Sequence, residues 1–272
     1  MNSTKIGIDA GGTLIKVVYL ENDTIYYETF AAHNLEDVVS WVSTSFDTPE
    51  ICITGGKSKV LAGRFKLSVK TIVEFDATSR GIEFLANQQG LALGSDFIFA
   101  NIGTGTSIHY MNNGQQQRIG GTGVGGGTLL GLSYLLTGMN DFNEIVQLSH
   151  TGNRELIDLK VKDIFEGDVP PISGDLTASN FGKINNLSHG KPSSSDMIAS
   201  IIGLIGENVV SICSQVASGY HTDSIVYIGS TFRSNPLLKR IIEEYTTLRE
   251  KTPFFLEDGE YSGAVGALLT LD

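Results

Sequence analysis

One hydrophobic pattern occurs twice in the chain: an apolar strand, a turn of glycine and threonine, and a second strand rich in β-branched residues. The first copy occupies residues 6–18 and the second occupies residues 96–111. The pattern predicts a β-hairpin, and its glycines allow a ligand to approach the backbone of the turn. Asn101 stands in the second copy where Asp9 stands in the first. We therefore predict an internal duplication with two hairpins facing one cleft, with two unrelated hairpins as the alternative.

Strands and helices alternate in the rest of the chain, which predicts an α/β fold. Asn34 and Asp141 are expected to cap helices, residues 21–23 to form a turn, and the Pro/Gly/Ser-rich segment 167–182 to form a polar loop. Besides the second hairpin, the predicted strands are 5–11, 13–20, 24–30, 50–56, 70–76, 115–121, 224–232 and 253–257, and the predicted helices are 35–46, 78–90, 129–138, 141–165, 197–219, 235–250 and 261–271.

Composition and charge limit the classes of function. The formal net charge is −11 and lysines and arginines do not cluster, which argues against a nucleic-acid partner. Cys52 and Cys213 lie in apolar segments, so we expect no disulfide framework and a reducing cytosol. We find no targeting signal and no apolar run of bilayer length, so no membrane association is expected. The apolar helix at 197–219 must then be buried in a core or against another subunit, and we expect a homodimer formed by it or by the helix at 234–249.

The first hairpin is a candidate phosphate site. Its backbone N–H groups and the Thr13 hydroxyl can bind a phosphate, and Asp9 can hold a hydrated Mg²⁺. An ordinary glycine turn with a solvated aspartate is the alternative. Residues 56–58 resemble the end of a P-loop, but the first glycine of that motif is replaced by Ile51.

A second glycine run at 120–131 leads into a helix whose free N-terminal N–H groups can bind an anion. Gly121, Gly123 and Gly126 match a dinucleotide-binding fingerprint. That fingerprint requires a βαβ unit, whereas an antiparallel hairpin precedes these glycines, so the dinucleotide interpretation is not favoured.

Glu74 and Asp76 end the predicted strand at 70–76, at the side where open α/β sheets place their ligands. Both acids are candidates for catalysis, and solvated strand-end acids are the alternative. Arg118 precedes the glycine run, where its guanidinium can bind a phosphate or simply face solvent. The five histidines are scattered, so metal-dependent and triad hydrolases have no support.

These residues carry a resemblance to a known family. The segments DAGGTLIK, VEFDATSRG, NIGTGTS, GGTGVGGGT, GDLTASNFG and YIGS resemble, in order, the motifs of bacterial type II pantothenate kinases, within the actin-like, sugar-kinase and Hsp70 superfamily. The resemblance implies a cytoplasmic homodimer that uses ATP and Mg²⁺ to phosphorylate the primary hydroxyl of pantothenate, the first step towards coenzyme A. It also implies two ribonuclease-H-like domains with the nucleotide in the cleft between them.

The resemblance also implies roles for individual residues. Glu74 is implied as the catalytic base, Arg118 as the arginine beside the substrate hydroxyl, and Asp9 as the side chain that positions Mg²⁺. The implied nucleotide site comprises Asp9, Ala10, Gly11, Gly12, Thr13, Leu14, Ile15, Lys16, Thr104, Gly126, Gly127, Thr128, Leu129, Leu130, Phe142 and Ser230. The implied substrate pocket comprises Glu74, Thr104, Ser107, Arg118, Ala178 and Tyr245, with Tyr245 contributed by the same subunit or by its partner.

The expected domain division is 1–95 and 96–259, with the dimerisation helices in the second domain and the closing segment 260–272 packed on the first. Two alternative functions stay open at this point. One is a kinase of the same fold that acts on a sugar or another small alcohol. The other is an actin-like ATP-binding regulator that phosphorylates nothing.

Overall fold

The computed structural model describes residues 4–22, 24–165, 167–186 and 190–272. Asp23, the last residue of the predicted turn at 21–23, lies outside the described residues. The strands form two five-stranded sheets and one short hairpin. In chain order they are β1 (Lys5–Ala10), β2 (Leu14–Glu21), β3 (Thr24–Ala31), β4 (Glu50–Thr54), β5 (Val69–Thr71), β6 (Asp96–Ile102), β7 (Thr106–Asn112), β8 (Gln115–Thr122), β9 (Leu159–Lys160), β10 (Thr177–Ser179), β11 (Ser224–Ile228) and β12 (Thr252–Phe255).

The two large sheets have the same topology. The first has the order β3-β2-β1-β4-β5, with an antiparallel meander β1–β3 and with β4 and β5 parallel to β1. The second, read as β8-β7-β6-β11-β12, repeats this arrangement strand for strand. The predicted duplication into two ribonuclease-H-like halves is therefore confirmed at the level of the fold.

Helices cover both sheets. In chain order they are α1 (Leu35–Ser45), α2 (Ser58–Ala62), α3 (Glu74–Gln88), α4 (Gly126–Thr137), α5 (Phe142–Ser149), α6 (Val161–Phe165), α7 (Ser194–Gly219), α8 (Pro236–Leu248) and α9 (Ser262–Leu268). Asp141 caps α5 as predicted, because its Oδ1 accepts a hydrogen bond from the Glu144 N–H at 2.9 Å. Asn34 stands at the N-cap of α1 but its side chain makes no capping hydrogen bond.

The closing helix α9 follows the last strand of the second sheet but packs on the first half, against α3 and β1. Two glycines permit this contact. A Cβ at Gly81 would overlap the carbonyl group of Ser262, and a Cβ at Gly266 would overlap the carbonyl group of Ala77. The backbones of α3 and α9 therefore touch directly, and these two helices connect the halves.

Each half has its own hydrophobic core, and a third core is shared. One core lies between the first sheet and α1, and another lies between the second sheet, α7 and α8. The shared core joins Val18 of β2 and Ile82 of α3 to Phe97 and Val226 of the second sheet. The two halves therefore share a continuous apolar base beneath the cleft.

Three sequence predictions need correction. The strand predicted at 70–76 ends at Thr71, and α3 begins at Glu74. Two acids in a first helical turn are favoured by the helix dipole, which explains why the chain turns helical there. The single helix predicted at 141–165 stops at Ser149, because Gly152 interrupts it and Asn153 caps a separate 3₁₀ turn at 154–156. The loop predicted at 167–182 contains β10, which pairs with β9.

The apolar helix α7 is also longer than predicted, and it is long and apolar enough to cross a bilayer. In its most apolar 18-residue window, however, 72% of the residues are buried inside the fold. It packs against α4, α5, α8 and β6 of the same chain. Elements of the same chain therefore cover this helix, and the structure does not require a partner subunit to bury it.

Candidate active site in the cleft between the halves

The two repeated hairpins meet across the cleft. The loop at 11–13 joins β1 to β2, and the loop at 103–105 joins β6 to β7. Their tips touch where the hydroxyl oxygens of Thr13 and Thr104 lie 2.8 Å apart in a hydrogen bond. Because each tip belongs to a different half, this contact is where the two halves meet above the shared core.

A polar cavity of about 320 Å³ lies beside this contact. Within the described chain, the N–H groups of Gly12, Thr13, Thr104 and Gly105 donate no hydrogen bond. Unused N–H groups on glycine-containing loops are the usual donors to phosphate oxygens. The cavity is lined by Asp9, Gly11, Gly12, Thr13, Leu14, Lys16, Glu74, Asn101, Gly103, Thr104, Gly105, Thr106, Ser107, Thr122 and Ser230.

A second cavity of about 390 Å³ continues from the first and shares Thr13, Leu14, Gly103, Thr104 and Ser230 with it. It is more apolar, and it is wide enough for a heterocyclic base. Its other lining residues are Gly126, Gly127, Leu130, Phe142, Asn143, Thr231 and Arg233. The two cavities together form one elongated groove, with a polar end and an apolar end.

The N-terminus of α4 does not offer the free N–H groups that the sequence predicts. The Gly126 and Gly127 N–H groups donate to the carbonyl oxygens of Gly103 and Thr104, both at 2.8 Å. A Cβ at Gly127 would lie 2.9 Å from the Thr104 side chain, so glycine is needed for this approach. The glycine run therefore joins the second hairpin to α4, and the free donors belong to the hairpin loops.

Four residues assigned to the nucleotide site do not line the groove. Ala10, Ile15 and Leu129 are fully buried in the hydrophobic cores. Thr128 caps α4, since its hydroxyl donates to the Gly123 carbonyl oxygen and accepts from the Gly125 N–H. The other twelve assigned residues line the groove: Asp9, Gly11, Gly12, Thr13, Leu14, Lys16, Thr104, Gly126, Gly127, Leu130, Phe142 and Ser230.

Asp9 and Lys16 face each other across the first hairpin, as paired residues of β1 and β2. Gly55 and Gly263 pack against the carboxylate, because added Cβ atoms would lie 2.6 Å from its Oδ1 and 2.9 Å from its Oδ2. Burial raises the pKa of Asp9, and the nearby Lys16 ammonium opposes this shift. In the described chain neither side chain makes a hydrogen bond or an ion pair, so both are available to a ligand.

The structure separates the two candidate acids. Glu74 lines the polar cavity, and Asp76, two residues further along α3, does not. Partial burial raises the pKa of Glu74, the Asp9 carboxylate raises it further, and Lys16 lowers it. Glu74, Asp9 and Lys16 therefore act on one another electrostatically inside one cavity.

Ser107 lines the polar cavity, whereas Arg118 does not. Arg118 lies on β8, where a Cβ on Gly121 would be 3.1 Å from its Nη2. Gly121 is paired with Ser107, so the guanidinium lies next to the cavity wall. Among the described residues it has no hydrogen-bond or ion-pair partner, which leaves its planar group of donors free to turn into the cavity.

Ala178 and Tyr245 lie together but outside the groove. Tyr245 is buried on α8, where its hydroxyl hydrogen-bonds to Thr177 Oγ1 at 2.8 Å and accepts from Lys160 Nζ at 3.0 Å. Ala178 is the exposed neighbour of Thr177. Tyr245 and Thr177 belong to a polar cluster that also contains Arg154, Asp158 and Glu207.

The sequence analysis missed Arg233, which stands three residues after Ser230 and lines the apolar cavity. Its guanidinium donates to both carboxylate oxygens of Glu260 at 3.1 and 3.2 Å, and to Thr29 Oγ1 of the first half at 3.3 Å. Its position could have indicated a role at the site, because Arg233 is a basic residue that directly follows the strand predicted at 224–232. Arg233 therefore links the cavity wall to both halves.

In the described chain no three His, Cys, Asp or Glu side chains cluster as a metal site. A lone carboxylate nevertheless suits Mg²⁺ that arrives with a nucleotide, because phosphates and water supply most of its ligands. The unpartnered, partly buried Asp9 carboxylate fits that role. The free N–H groups and Lys16 fit the phosphates themselves.

Comparison with known proteins identifies relatives of the chain. The Fumble family model matches residues 95–270. The type II pantothenate kinases of Staphylococcus epidermidis ATCC 12228 and Staphylococcus aureus USA300 are 44% and 43% identical over 264 residues, which is 97% of this chain and 99% and 98% of those proteins. The activator of 2-hydroxyisocaproyl-CoA dehydratase from Clostridium difficile, solved with bound ADPNP, is similar in structure, with a TM-score of 0.64 at 18% sequence identity. The match covers 98% of this chain and 93% of the activator chain.

Proposed function

The chain belongs to the Fumble family of type II pantothenate kinases, and from this premise we propose that it transfers the γ-phosphoryl group of ATP to the primary hydroxyl of pantothenate. The product is 4′-phosphopantothenate, and the reaction is the first step of coenzyme A biosynthesis. The observation that carries the proposal is the shared cavity of Asp9, Lys16 and Glu74 beside two hairpin loops with unused N–H groups.

ATP is proposed to lie along the groove. Its base and ribose occupy the apolar cavity beside Phe142 and Leu130. Its phosphates reach the polar cavity between the two hairpin loops, where Lys16 balances their charge. Asp9 is the residue that would hold Mg²⁺ there, and the ion would supply charge neutralisation on the phosphates. The Thr13 and Thr104 hydroxyls exchange their mutual hydrogen bond for bonds to phosphate oxygens.

Glu74 is proposed as the base that accepts the proton of the pantothenate hydroxyl as this oxygen attacks the γ-phosphorus. Phosphoryl transfer needs mainly positioning and charge stabilisation, so one well-placed carboxylate is sufficient acid–base chemistry. Arg118 turns from its place beside Gly121 to hold the hydroxyl end of the substrate, and Ser107 forms the adjacent wall. The carboxylate and the guanidinium then approach the reacting oxygen from different elements, α3 and β8.

We propose that the enzyme is a cytoplasmic homodimer. Ala178 is exposed and lies outside the groove of its own chain. A partner subunit that receives Ala178 at its groove would reconcile this placement with the substrate contact implied for the residue. Tyr245 is only 7% exposed, so it would have to leave its bonds to Thr177 and Lys160 to make the implied contact. Sedimentation velocity at micromolar concentration tests the assembly, and a fully active monomer contradicts it. The proposed domains, 1–95 with 260–272 and then 96–259, would close around the substrates.

The decisive experiment is a substrate screen with the purified protein. ADP release is followed in the presence of MgATP with pantothenate, pantetheine, N-acetylglucosamine or glycerol as acceptor. We expect turnover that depends on pantothenate and on Mg²⁺, and mass spectrometry should identify the phosphorylated product. Turnover of the amino sugar without turnover of pantothenate refutes the proposed substrate. ADP release that is independent of every acceptor favours a nucleotide-dependent regulator instead.

A further inference from the structure

His109 is a buried titratable residue to which the proposed reaction assigns no role. It lies on β7 with 1% of its surface exposed. Its ring stacks on Phe99 of β6, with centroids 4.5 Å apart and planes 2° from parallel, and lies 4.7 Å from the ring of Phe75 at 55°. Its Nδ1 is hydrogen-bonded to Gln116 Oε1 of β8 at 3.1 Å. Three neighbouring elements thus fix the orientation of the imidazole.

The contact with Phe75 matters because Phe75 directly follows Glu74 in the first turn of α3. On its other side this end of the helix packs on α9, where the Ala77 carbonyl group touches Gly266. Val73, at the N-cap, makes no side-chain capping hydrogen bond and is 62% exposed. Phe75 is the aromatic side chain of this turn, and its ring contacts that of His109 in the second half.

The same imidazole also borders Arg118. His109 and Arg118 are paired residues of β7 and β8, next to an irregularity in the strand register. Burial and the Arg118 guanidinium both lower the pKa of His109, and the bond to Gln116 opposes this. The imidazole is therefore uncharged at neutral pH and does not repel the guanidinium. The uncharged His109 ring thus contacts Phe75, the neighbour of Glu74 in sequence, and is paired across the strands with Arg118.

We propose that His109 is a positioning residue whose ring, through Phe75, sets the position of Glu74 relative to Arg118. This inference rests on the proposed function, because it presumes that Glu74 and Arg118 act on one substrate hydroxyl. Its physical basis is that proton transfer depends steeply on the distance between the carboxylate and the reacting oxygen. Nucleotide binding, which uses the hairpin loops, does not depend on this ring.

The test compares two variants that retain most of the side-chain volume. His109→Phe preserves the ring contacts with Phe75 and Phe99, whereas His109→Leu removes them. Tyr110→Leu is the matched control. Tyr110 is the next residue of β7 and points to the opposite face of the sheet. Its ring contacts that of Tyr220, with centroids 4.2 Å apart and planes tilted by 33°, so its loss removes an aromatic contact from the same strand without touching Phe75.

In His109→Leu we expect kcat for pantothenate to fall roughly 10- to 100-fold, with the calorimetric affinity for ATP unchanged. His109→Phe should recover most of the activity, and Tyr110→Leu should keep kcat near that of the parent enzyme. An unchanged kcat in His109→Leu overturns the proposal, as do equal losses in the Leu and Phe variants. A loss in Tyr110→Leu as large as that in His109→Leu also overturns it, because strand stability would then explain both.

A measurement without substrate separates this inference from the proposed function. The titration of the Glu74 carboxyl can be followed by ¹³C NMR in the isolated protein. If Phe75 loosens, the carboxyl gains water, and its pKa should move from its raised position back towards the ordinary glutamate value of 4.5 in His109→Leu but not in Tyr110→Leu. An unmoved titration in His109→Leu refutes the positioning role even if pantothenate is not the substrate.

Discussion

Replacing Glu74 by glutamine tests the proposed base directly. Glutamine preserves the size of the side chain and its capacity for hydrogen bonding, but it cannot accept the hydroxyl proton. ATP is held by the hairpin loops and not by Glu74, so ATP affinity should stay unchanged. The expected loss in kcat is about 10²- to 10⁴-fold, the usual contribution of general-base catalysis.

The environment of Glu74 adds a pH signature. Burial and the Asp9 carboxylate raise its pKa above the ordinary value of 4.5, and Lys16 limits the increase. Only the ionised form can act as a base, so kcat should fall as the pH decreases through this raised pKa. The decline should begin at a higher pH than an exposed glutamate would give, and it should be absent from the residual activity of Glu74→Gln.

Asp76→Asn is the matched control. Asp76 carries the same chemistry on the same helical turn and, like Glu74, is exposed, but it lies outside the cavity. Steady-state kinetics of both variants, with calorimetric ATP binding, should show a loss in Glu74→Gln alone. Near-normal turnover in Glu74→Gln together with an inactive Asp76→Asn would refute the reasoning and exchange the two roles.

Three further predictions concern the nucleotide. Asp9→Asn should abolish most turnover without lowering the melting temperature at neutral pH. The raised pKa of Asp9 means that the charged carboxylate lowers the stability of the folded protein above that pKa, so its removal should not destabilise the fold. A clear drop in melting temperature contradicts this prediction. Gly12→Val should fold normally, because a Cβ at Gly12 meets no protein atom within 4 Å. It should lose ATP binding, because the valine side chain would occupy the space proposed for the phosphates. An unchanged calorimetric affinity for ATP would show that the loop is purely structural. Arg233→Ala should raise KM for ATP roughly 10-fold with KM for pantothenate unchanged, the loss expected for a charged hydrogen-bonding group. Thr29→Val is the control, because it removes the Thr29 hydroxyl bonds to Arg233 and Tyr261 but leaves Arg233 in the cavity wall.

The hydrophobic pattern was sufficient to predict the duplicated fold because both halves begin with the same strand–turn–strand unit. The alternation of side chains along a strand and the glycines at each turn depend only on neighbouring residues. Both can therefore be recognised in the sequence alone. Asp9 and Asn101 confirm this: each is the second-to-last residue of its strand to be paired across its hairpin. The predicted alignment of the two hairpins therefore holds to the residue.

Contacts between distant segments could not be predicted in the same way. The glycine run at 120–131 satisfies every local criterion for a helix N-terminus that binds anions. Its first N–H groups are nevertheless used by the carbonyl groups of Gly103 and Thr104, which are more than twenty residues away. Nothing in the run itself indicates this pairing, because it depends on how closely the second hairpin approaches α4.

The position of Glu74 shows the same limit. An apolar run that ends in two acids fits a strand end, and it fits a helix start equally well. Contacts between distant segments, such as Phe75 on His109 and α3 on α9, orient this helix so that Glu74 and not Asp76 lines the cavity. The sequence limits the candidates for the proposed catalytic base to Glu74 and Asp76. The tertiary structure distinguishes them, because only Glu74 lines the cavity.

The duplicated halves differ chemically at equivalent strand positions, and this difference gives the cleft a direction. Asp9 and Asn101 occupy equivalent strand positions, and both line the polar cavity. A second carboxylate at position 101 would repel both Asp9 and the phosphates, and such repulsion is large at short range in a partly desolvated cavity. An asparagine keeps the shape and adds an N–H donor. The first half can therefore hold the proposed metal ion while the second half offers donors to the phosphates, so that two copies of one fold perform different parts of a single phosphoryl transfer.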